Sequence, residues 1–513
     1  MKNGKALVAI LILAFFLRFF NLSTIPPSLH GDEIGVGYNA WTLLTNGSGE
    51  YGEKFPLTFR ADVSPLIFYI TVPAIALFGT SEFAIRLPSV IIGMLTILIT
   101  YLLTKKLFQL YALPYSSIVS LLFTLCLAIS PWHIQVSRIA HDAGLALLMQ
   151  AAATVFILHF LETKKQLLLL LSAALFGLSV YAYHTPSFTT PLLMALLLIT
   201  FRKQLNQFRL GIILAAILFA VVITPIAIHR ISKPLGETRF GGINIFIREQ
   251  PNENLLLAIP RRFAKSFVSQ LNPVSWFLDT TSSRYFNVKN NGFMYFLDFV
   301  LIAVGVVKLK SNLRFLLLGW ILIGLSSGAL TTGPVNGGRI LFIAPPLLMF
   351  VSIGLYSILQ AALTKNAYLP VTMISLYALG VSNFLIQYFN VGPQLFYLEW
   401  EYGTKAVTQF ALSHESQVEK IVITDRIKQG YVYVLYYGRK SPLWIQSVFY
   451  KKHPYIGYSA FGNYEFRPIN WEQDAHLKHA LLIGTPDEIP ATYFKNSVSA
   501  PNGTVLYGMV QTE

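Results

Sequence analysis

The chain has 513 residues, 54% of them hydrophobic and only 12% charged, with a mean hydropathy of +0.55. A soluble domain carries about 25% charged residues, so the composition of the chain as a whole indicates an integral membrane protein. The net charge of +15 suits anionic lipid or phosphate groups. The absence of a basic, aromatic soluble module excludes nucleic acid as a partner, and a single cysteine, Cys126, excludes an intrachain disulfide.

In chain order, apolar segments fall near residues 6–22, 65–79, 87–104, 114–130, 144–161, 167–183, 187–201, 209–228, 293–308, 313–329, 340–359 and 366–388. Most approach the roughly 20 residues that cross a hydrocarbon core. The first lacks a small-x-small cleavage site and is read as a retained helix, not a signal peptide. Basic connections at Lys105-Lys106, Lys164-Lys165, Arg202-Lys203 with Arg209, Lys308 with Lys310, and Lys365 are assigned to the cytoplasm, together with Lys2 and Lys5. Alternation then holds only if 65–79, which is short and carries Pro65 and Pro73, is an interfacial or re-entrant element. The expectation is eleven spanning helices with the N-terminus inside. Outer loops then fall at about 23–86, 131–143, 229–292 and 331–339. After residue 390 the composition changes: eleven of the 24 acids lie there, with strand-like runs at 420–424 and 480–484 and a helical run at 404–412. This predicts a transmembrane catalytic domain over 1–390 and a small extracytoplasmic α/β domain over 391–513.

The first polar loop opens with His30-Gly31-Asp32-Glu33, ahead of a predicted helix over 34–45 closed by Asn46-Gly47. Acids at a membrane surface are costly unless solvated, paired or put to use. Two readings fit. Asp32 is an N-cap and Glu33 a first-turn acid, or one carboxylate is a general base that takes the proton of an attacking hydroxyl. In the second reading the other orients the acceptor, or the two share a cation with His30. Further on, Gly49-Glu50-Tyr51-Gly52 reads as a turn, and Asp62 as a turn acid with a weaker claim on a site. Arg86 either snorkels to headgroups or pairs with a carboxylate or lipid phosphate.

In the next polar run, Arg138, His141 and Asp142 stand three or four residues apart, so on one helical turn they would share a face. An Arg138–Asp142 ion pair is the alternative to a role in a site. Tyr183 and His184 either line a polar pocket or belong to an interfacial belt. The basic loop containing Arg284 and the glycine-rich turn ending in Arg339 provide cations suited to a lipid-linked phosphate, although headgroup binding explains the loop almost as well. The glycine-rich turn is not a P-loop, since its spacing is wrong.

Together, Asp32-Glu33 through Tyr51-Gly52, Phe78-Gly79 through Arg86-Leu87-Pro88, Ser130-Pro131-Trp132 through Arg138, and Gly177-Leu178-Ser179-Val180-Tyr181 resemble the GT-C superfamily of membrane glycosyltransferases. Within it the chain is most similar to the protein O-mannosyltransferase-like branch, which includes lipid A aminoarabinose transferases. The resemblance implies an α-helical polytopic fold in the plasma membrane and a sugar donor on a polyprenyl or dolichyl phosphate, used on the outer face. It implies that Asp32 is the base and that Arg86 lies near the site.

On this reading, Arg86, Arg138, Arg284 and Arg339 are expected to meet the donor phosphate, and Asp62, His141, Asp142, Tyr183 and His184 to line the acceptor pocket. Glu33 assists Asp32, and His30, Glu33 and Asp142 are the candidates for a divalent metal, should one be used. The second long loop is too short for the β-trefoil of eukaryotic protein mannosyltransferases, and the C-terminal α/β domain lies outside their pattern. The acceptor therefore stays open between protein, lipid and glycan. Rival readings are a transporter or flippase, which internal repeats or paired broken helices would mark, and a polymerase or ligase using a diphosphate-linked donor.

Overall fold

The computed structural model describes residues 2–513 apart from 61, 114, 233–242, 251, 279–284, 287–290, 366–367, 396 and 454–456. Helices α1 (Lys2–Phe19), α2 (Gly31–Asn46), α3 (Leu66–Phe78), α4 (Glu82–Leu110), α5 (Ser116–Ile129), α6 (Pro131–Arg138), α7 (Ala143–Thr163), α8 (Gln166–Ala182) and α9 (Pro186–Thr200) occupy the first 200 residues. Arg209–Ile231, Phe296–Lys308, Asn312–Ala329, Ala344–Lys365 and Tyr368–Ile386 follow. Each of the eleven expected spans thus falls on a helix. Among the described residues six helices are long and apolar enough to cross a membrane, or seven if α5 and α6, bent by 56°, form one span. The apolar helices α8, α9 and Phe296–Lys308 are shorter, at 17, 15 and 13 residues.

Two compact units divide the chain: Met1–Phe20 with Ser89–Gln387, and Asn21–Pro88 with Tyr388–Glu513. The loop over 23–86 therefore belongs to the same unit as the C-terminal segment.

In the first unit α7 packs along α8, and Phe296–Lys308 along Ala344–Lys365. The second pair meets through glycines. A Cβ on Gly305 would lie 2.1 Å from the Phe350 carbonyl oxygen, and one on Gly354 would lie 2.1 Å from that of Leu301. Only the missing side chains allow the backbones this close, the usual device between helices that share no hydrophobic driving force in lipid. The bend between α5 and α6 follows from Pro131 at the first helical position and from Ser130, whose hydroxyl accepts the His133 N–H at 3.4 Å. Helix α6 stops at Arg138, Ile139 is extended, and α7 begins at Ala143. Arg138, His141 and Asp142 therefore do not share a helical turn, contrary to the expectation from their spacing.

In the second unit α2 packs against α3 and against helix Gly430–Tyr437. The C-terminal segment contains helix Thr404–Ser413 and seven strands: β1 (Lys420–Ile423), β2 (Tyr450–His453), β3 (Gly457–Phe461), β4 (Tyr464–Phe466), β5 (Ala480–Gly484), β6 (Asn496–Ser499) and β7 (Val505–Gln511). They form one sheet in the order β2-β3-β4-β1-β5-β7-β6. β1 lies parallel to both β4 and β5, whereas the outer pairs are antiparallel. Strand β5 is buried along its whole length, as a continuous apolar run in a parallel centre should be. Val422, Ile469, Leu482, Ile489 and Val510 form a core on one face.

Candidate functional site

Helix α2 begins one residue after His30, and its cap differs from the expected one. His30 is the N-cap: its Nδ1 accepts the Asp32 N–H at 3.2 Å, while the Glu33 carboxylate accepts the His30 N–H at 3.2 Å. This reciprocal capping box satisfies two helix-end donors, and it moves Asp32 from the cap position into the first turn. Gly47, at φ 62°, closes the helix by donating its N–H to Leu43.

Glu33 is fully buried and its two carboxylate oxygens receive Nε and Nη2 of Arg86 at 2.9 and 3.0 Å. The rest of the guanidinium donates to the carbonyls of Leu22 (3.1 Å), Pro26 (2.9 Å) and Ser28 (2.5 Å). Arg86 thus places all five of its N–H groups on protein acceptors, clamping the chain before α2 to the start of α4. Asp32 differs from its neighbour: its side chain keeps 27% of its surface accessible, with the half-buried His30 imidazole 3.9 Å away.

Around this helix start lies a second polar group that sequence reasoning did not single out. Arg60 crosses α2 and donates to the Gly31 carbonyl at 3.2 Å and to Gln429, with Glu50 at 3.7 Å. It fits because residue 35 is glycine: a Cβ there would stand 2.0 Å from Arg60 Nη1. Burial alone would lower the Arg60 pKa. Tyr431, Glu50 and Asp32 more than offset it and hold the guanidinium raised. Glu50 is buried and accepts from Asn39 at 3.0 Å and from the Tyr431 hydroxyl at 3.2 Å. Burial first, then Glu50, pushes that hydroxyl up to about 12. Asp62, in the same unit, sits in the tight turn closed by Phe59 and Val63, at φ 66°.

Glu401 approaches from the C-terminal segment. Its Oε2 accepts the Tyr433 hydroxyl at 2.5 Å and would lie 3.6 Å from a Cβ on Gly31. Its Oε1 is enclosed without a hydrogen-bond donor among the described residues. Burial raises the Glu401 pKa, and Asp32 adds to the rise while His30, Tyr433 and Lys428 oppose it. A carboxyl raised on folding contributes stability that is complete below its unfolded value and is lost as pH rises through its folded value. Wild-type melting temperature is therefore expected to fall relative to Glu401→Gln as pH is raised from about 4 to about 8. A constant difference across that range would show that Glu401 does not titrate there.

In the first unit the structure gathers other expected residues. His141 accepts the Ala143 N–H at 3.1 Å, lies 3.1 Å from Asp142, and packs its ring against Tyr183 at 5.6 Å. Tyr183 in turn contacts His184 at 4.1 Å. Arg339 lines a small pocket with Gln150, Tyr183 and Thr185, and donates to Thr331 at 2.6 Å.

Arg138 has a different setting. It is fully buried and donates to the carbonyls of Leu17 (3.0 Å), Arg18 (2.9 Å) and Phe20 (2.7 Å), at the end of α1. Arg18 does the same at the end of α5, donating to Ala128 at 2.9 Å and contacting His133 Nδ1 at 2.8 Å. Cations at helix C-termini meet both the orphan carbonyls and the dipole. Arg284 lies outside the described residues.

Among the described residues no group of three His, Cys, Asp or Glu is placed to hold a metal. His30, Glu33 and Asp142 form no such group, and both oxygens of Glu33 are engaged by Arg86.

Residues 62–229 match the family model for dolichyl-phosphate-mannose-protein mannosyltransferases, a stretch that includes Arg86, Arg138, His141 and Tyr183 and starts after Asp32. No curated protein matches the sequence. Among solved structures, apo ArnT from Cupriavidus metallidurans is 12% identical with a TM-score of 0.56, covering 99% of this chain and 98% of that one. The same protein bound to undecaprenyl phosphate gives a TM-score of 0.51 at 12% identity, covering 98% and 97%. An Archaeoglobus fulgidus oligosaccharyltransferase in complex with Zn and sulfate gives a TM-score of 0.51 at 13% identity, covering 98% of this chain and 73% of that one. At such identities the likeness is one of fold, and it extends over nearly the whole chain.

Proposed function

From a chain with the fold of the GT-C membrane glycosyltransferases, we propose an enzyme that moves a sugar from a polyprenyl-phosphate donor to an acceptor hydroxyl at the extracytoplasmic face. Asp32 takes the hydroxyl proton as the acceptor oxygen bonds to the anomeric carbon. The bond from that carbon to the phosphate oxygen breaks, and the lipid phosphate leaves with the electron pair, inverting the centre.

The observation that carries this reading is the division of labour on the first turn of α2. His30 caps the helix and Glu33 is locked into a buried ion pair with Arg86, so Asp32 is the carboxylate of the three residues that reaches the surface. A general base must be reachable by the proton it removes. Glu33 and Arg86 act as positioning residues in this scheme.

A donor with one phosphate is supported by the undecaprenyl phosphate in the ArnT complex and by the mannosyltransferase family match. Among the described members of the expected set, Arg339 is the cation best suited to meet that phosphate. It is partly accessible, whereas Arg86 and Arg138 are fully buried against carbonyls. Arg339→Gln should raise the donor KM about tenfold, the equivalent of one charged hydrogen bond at about 1.5 kcal/mol, with a smaller change in kcat. An unchanged KM would remove Arg339 from the donor site.

The reaction itself is tested by incubating purified full-length protein in nanodiscs with synthetic polyprenyl-phosphate hexoses and pentoses plus membrane extract. Release of polyprenyl monophosphate is expected. Turnover confined to diphosphate-linked oligosaccharides would replace this reading with a polymerase or ligase, and no turnover of any donor would overturn it.

A further inference from the structure

The C-terminal sheet holds a cleft that the proposed chemistry does not use. It measures about 980 Å³ and is lined by residues that follow the ends of β1, β4 and β5, including Asp425, Arg426, Lys428, Asn470 and Trp471. These are the three parallel strands at the centre of the sheet. The chain leaves β1 to build β4 on one side and then crosses to β5 on the other, so the loops after β1 and its neighbours diverge. A crevice at the carboxyl ends of parallel strands, where strand order reverses, is where open α/β sheets hold ligands.

The walls are fixed in advance. Glu488 ties three loops together, accepting from Thr424 at 2.9 Å, from the Ile469 N–H at 3.3 Å and from Thr485 at 3.0 Å. Asp474 receives Arg467 in two bonds of 2.8 and 2.7 Å and the Asn470 N–H at 2.9 Å, which sets the position of Asn470 and Trp471.

The rim carries both signs of charge. Asp425, Glu472 and Asp487 are exposed, as are Arg426 and Lys428, and the Arg426–Asp487 pair is open at 3.4 Å with both side chains about two-thirds accessible. Such a rim favours neither a polyanion nor a polycation. It offers carboxylate acceptors, an amide and cationic donors beside the indole of Trp471, itself backed by Tyr493 at 4.7 Å. That set complements a neutral chain of hydroxyl groups with apolar ring faces.

The geometry points to a binding site for a neutral oligosaccharide in this cleft. The loop that forms its rim also runs to the start of α2: a Cβ on Gly31 would meet Gln429 Oε1 at 3.4 Å and the Lys428 carbonyl at 3.6 Å. A glycan held here is the acceptor class for the reaction at Asp32, a role that rests on the proposed function, whereas the binding itself does not.

Saturation-transfer NMR on the full-length protein in nanodiscs, with mannohexaose, maltohexaose, cellohexaose and chitohexaose, tests the site. At least one should bind, and its affinity should fall tenfold or more in Trp471→Ala and in Asp425→Ala, the second at an exposed position that does not threaten folding. Failure of all four sugars to bind, or binding indifferent to both cleft substitutions, overturns the site. So does binding confined to dextran sulfate and lost in high salt. Glycan binding without donor turnover would leave the site standing and remove the reaction. Donor turnover without glycan binding would do the reverse.

Discussion

Asp32→Asn is expected to lower release of polyprenyl phosphate by about 10²–10⁴-fold, the usual contribution of a positioned general base. The substitution keeps the shape of the side chain and removes its ability to take a proton. It should leave the fold intact, because capping of α2 belongs to His30 and Glu33, not to Asp32. The loss of one first-turn acid costs about 0.3–1 kcal/mol, too little to unfold the protein. The measurement is single-turnover release in nanodiscs, with a melting curve of the same preparation. Equal release from both proteins would dismiss Asp32 as the base, whatever else the site does.

A different kind of loss is expected for Arg86→Met. Glu33 is wholly buried, and without Arg86 its carboxylate would face three main-chain carbonyls in a site with little access to water. Breaking a buried pair from one side costs about 3–5 kcal/mol, because the remaining charge is uncompensated. Arg86→Lys should recover little of this, since one ammonium cannot reach both Glu33 oxygens and three carbonyls in a planar fork. Combining Arg86→Met with Glu33→Leu should regain much of the stability, because no buried charge is then left behind. Melting temperatures in micelles for the three variants decide the matter. A double variant no more stable than Arg86→Met alone would show that the carbonyl cage, not the ion pair, is what Arg86 maintains.

These two residues show why parts of the site were legible and parts were not. Asp32 and Glu33 stood out because acids are rare in so apolar a chain and because glycine and asparagine mark the end of the helix they open. Which acid caps the helix could not be read there, since the choice depends on how Glu33 is drawn onto an arginine 53 residues away. Arg60 and Glu401 gave no local signal of their own. Glu50 lay within an ordinary turn motif, and its tyrosine partner stands 381 residues further along. The one available hint was helix Gly430–Tyr437, with four tyrosines in eight residues, more phenol than an ordinary amphipathic helix needs.

The sequence by itself determined that the protein belongs in a membrane, where its helices lie, that strands follow residue 390, and that carboxylates gather before the second helix. All of these rest on composition, periodicity and turn chemistry, which are local. Only the tertiary structure decided which arginines are buried as clamps and that the 23–86 loop packs with the C-terminal segment. Both depend on contacts between residues far apart in the chain. Arg86 and Arg138 are held mainly by backbone carbonyls, which every residue supplies alike, so nothing in the side-chain order announces where those carbonyls will converge.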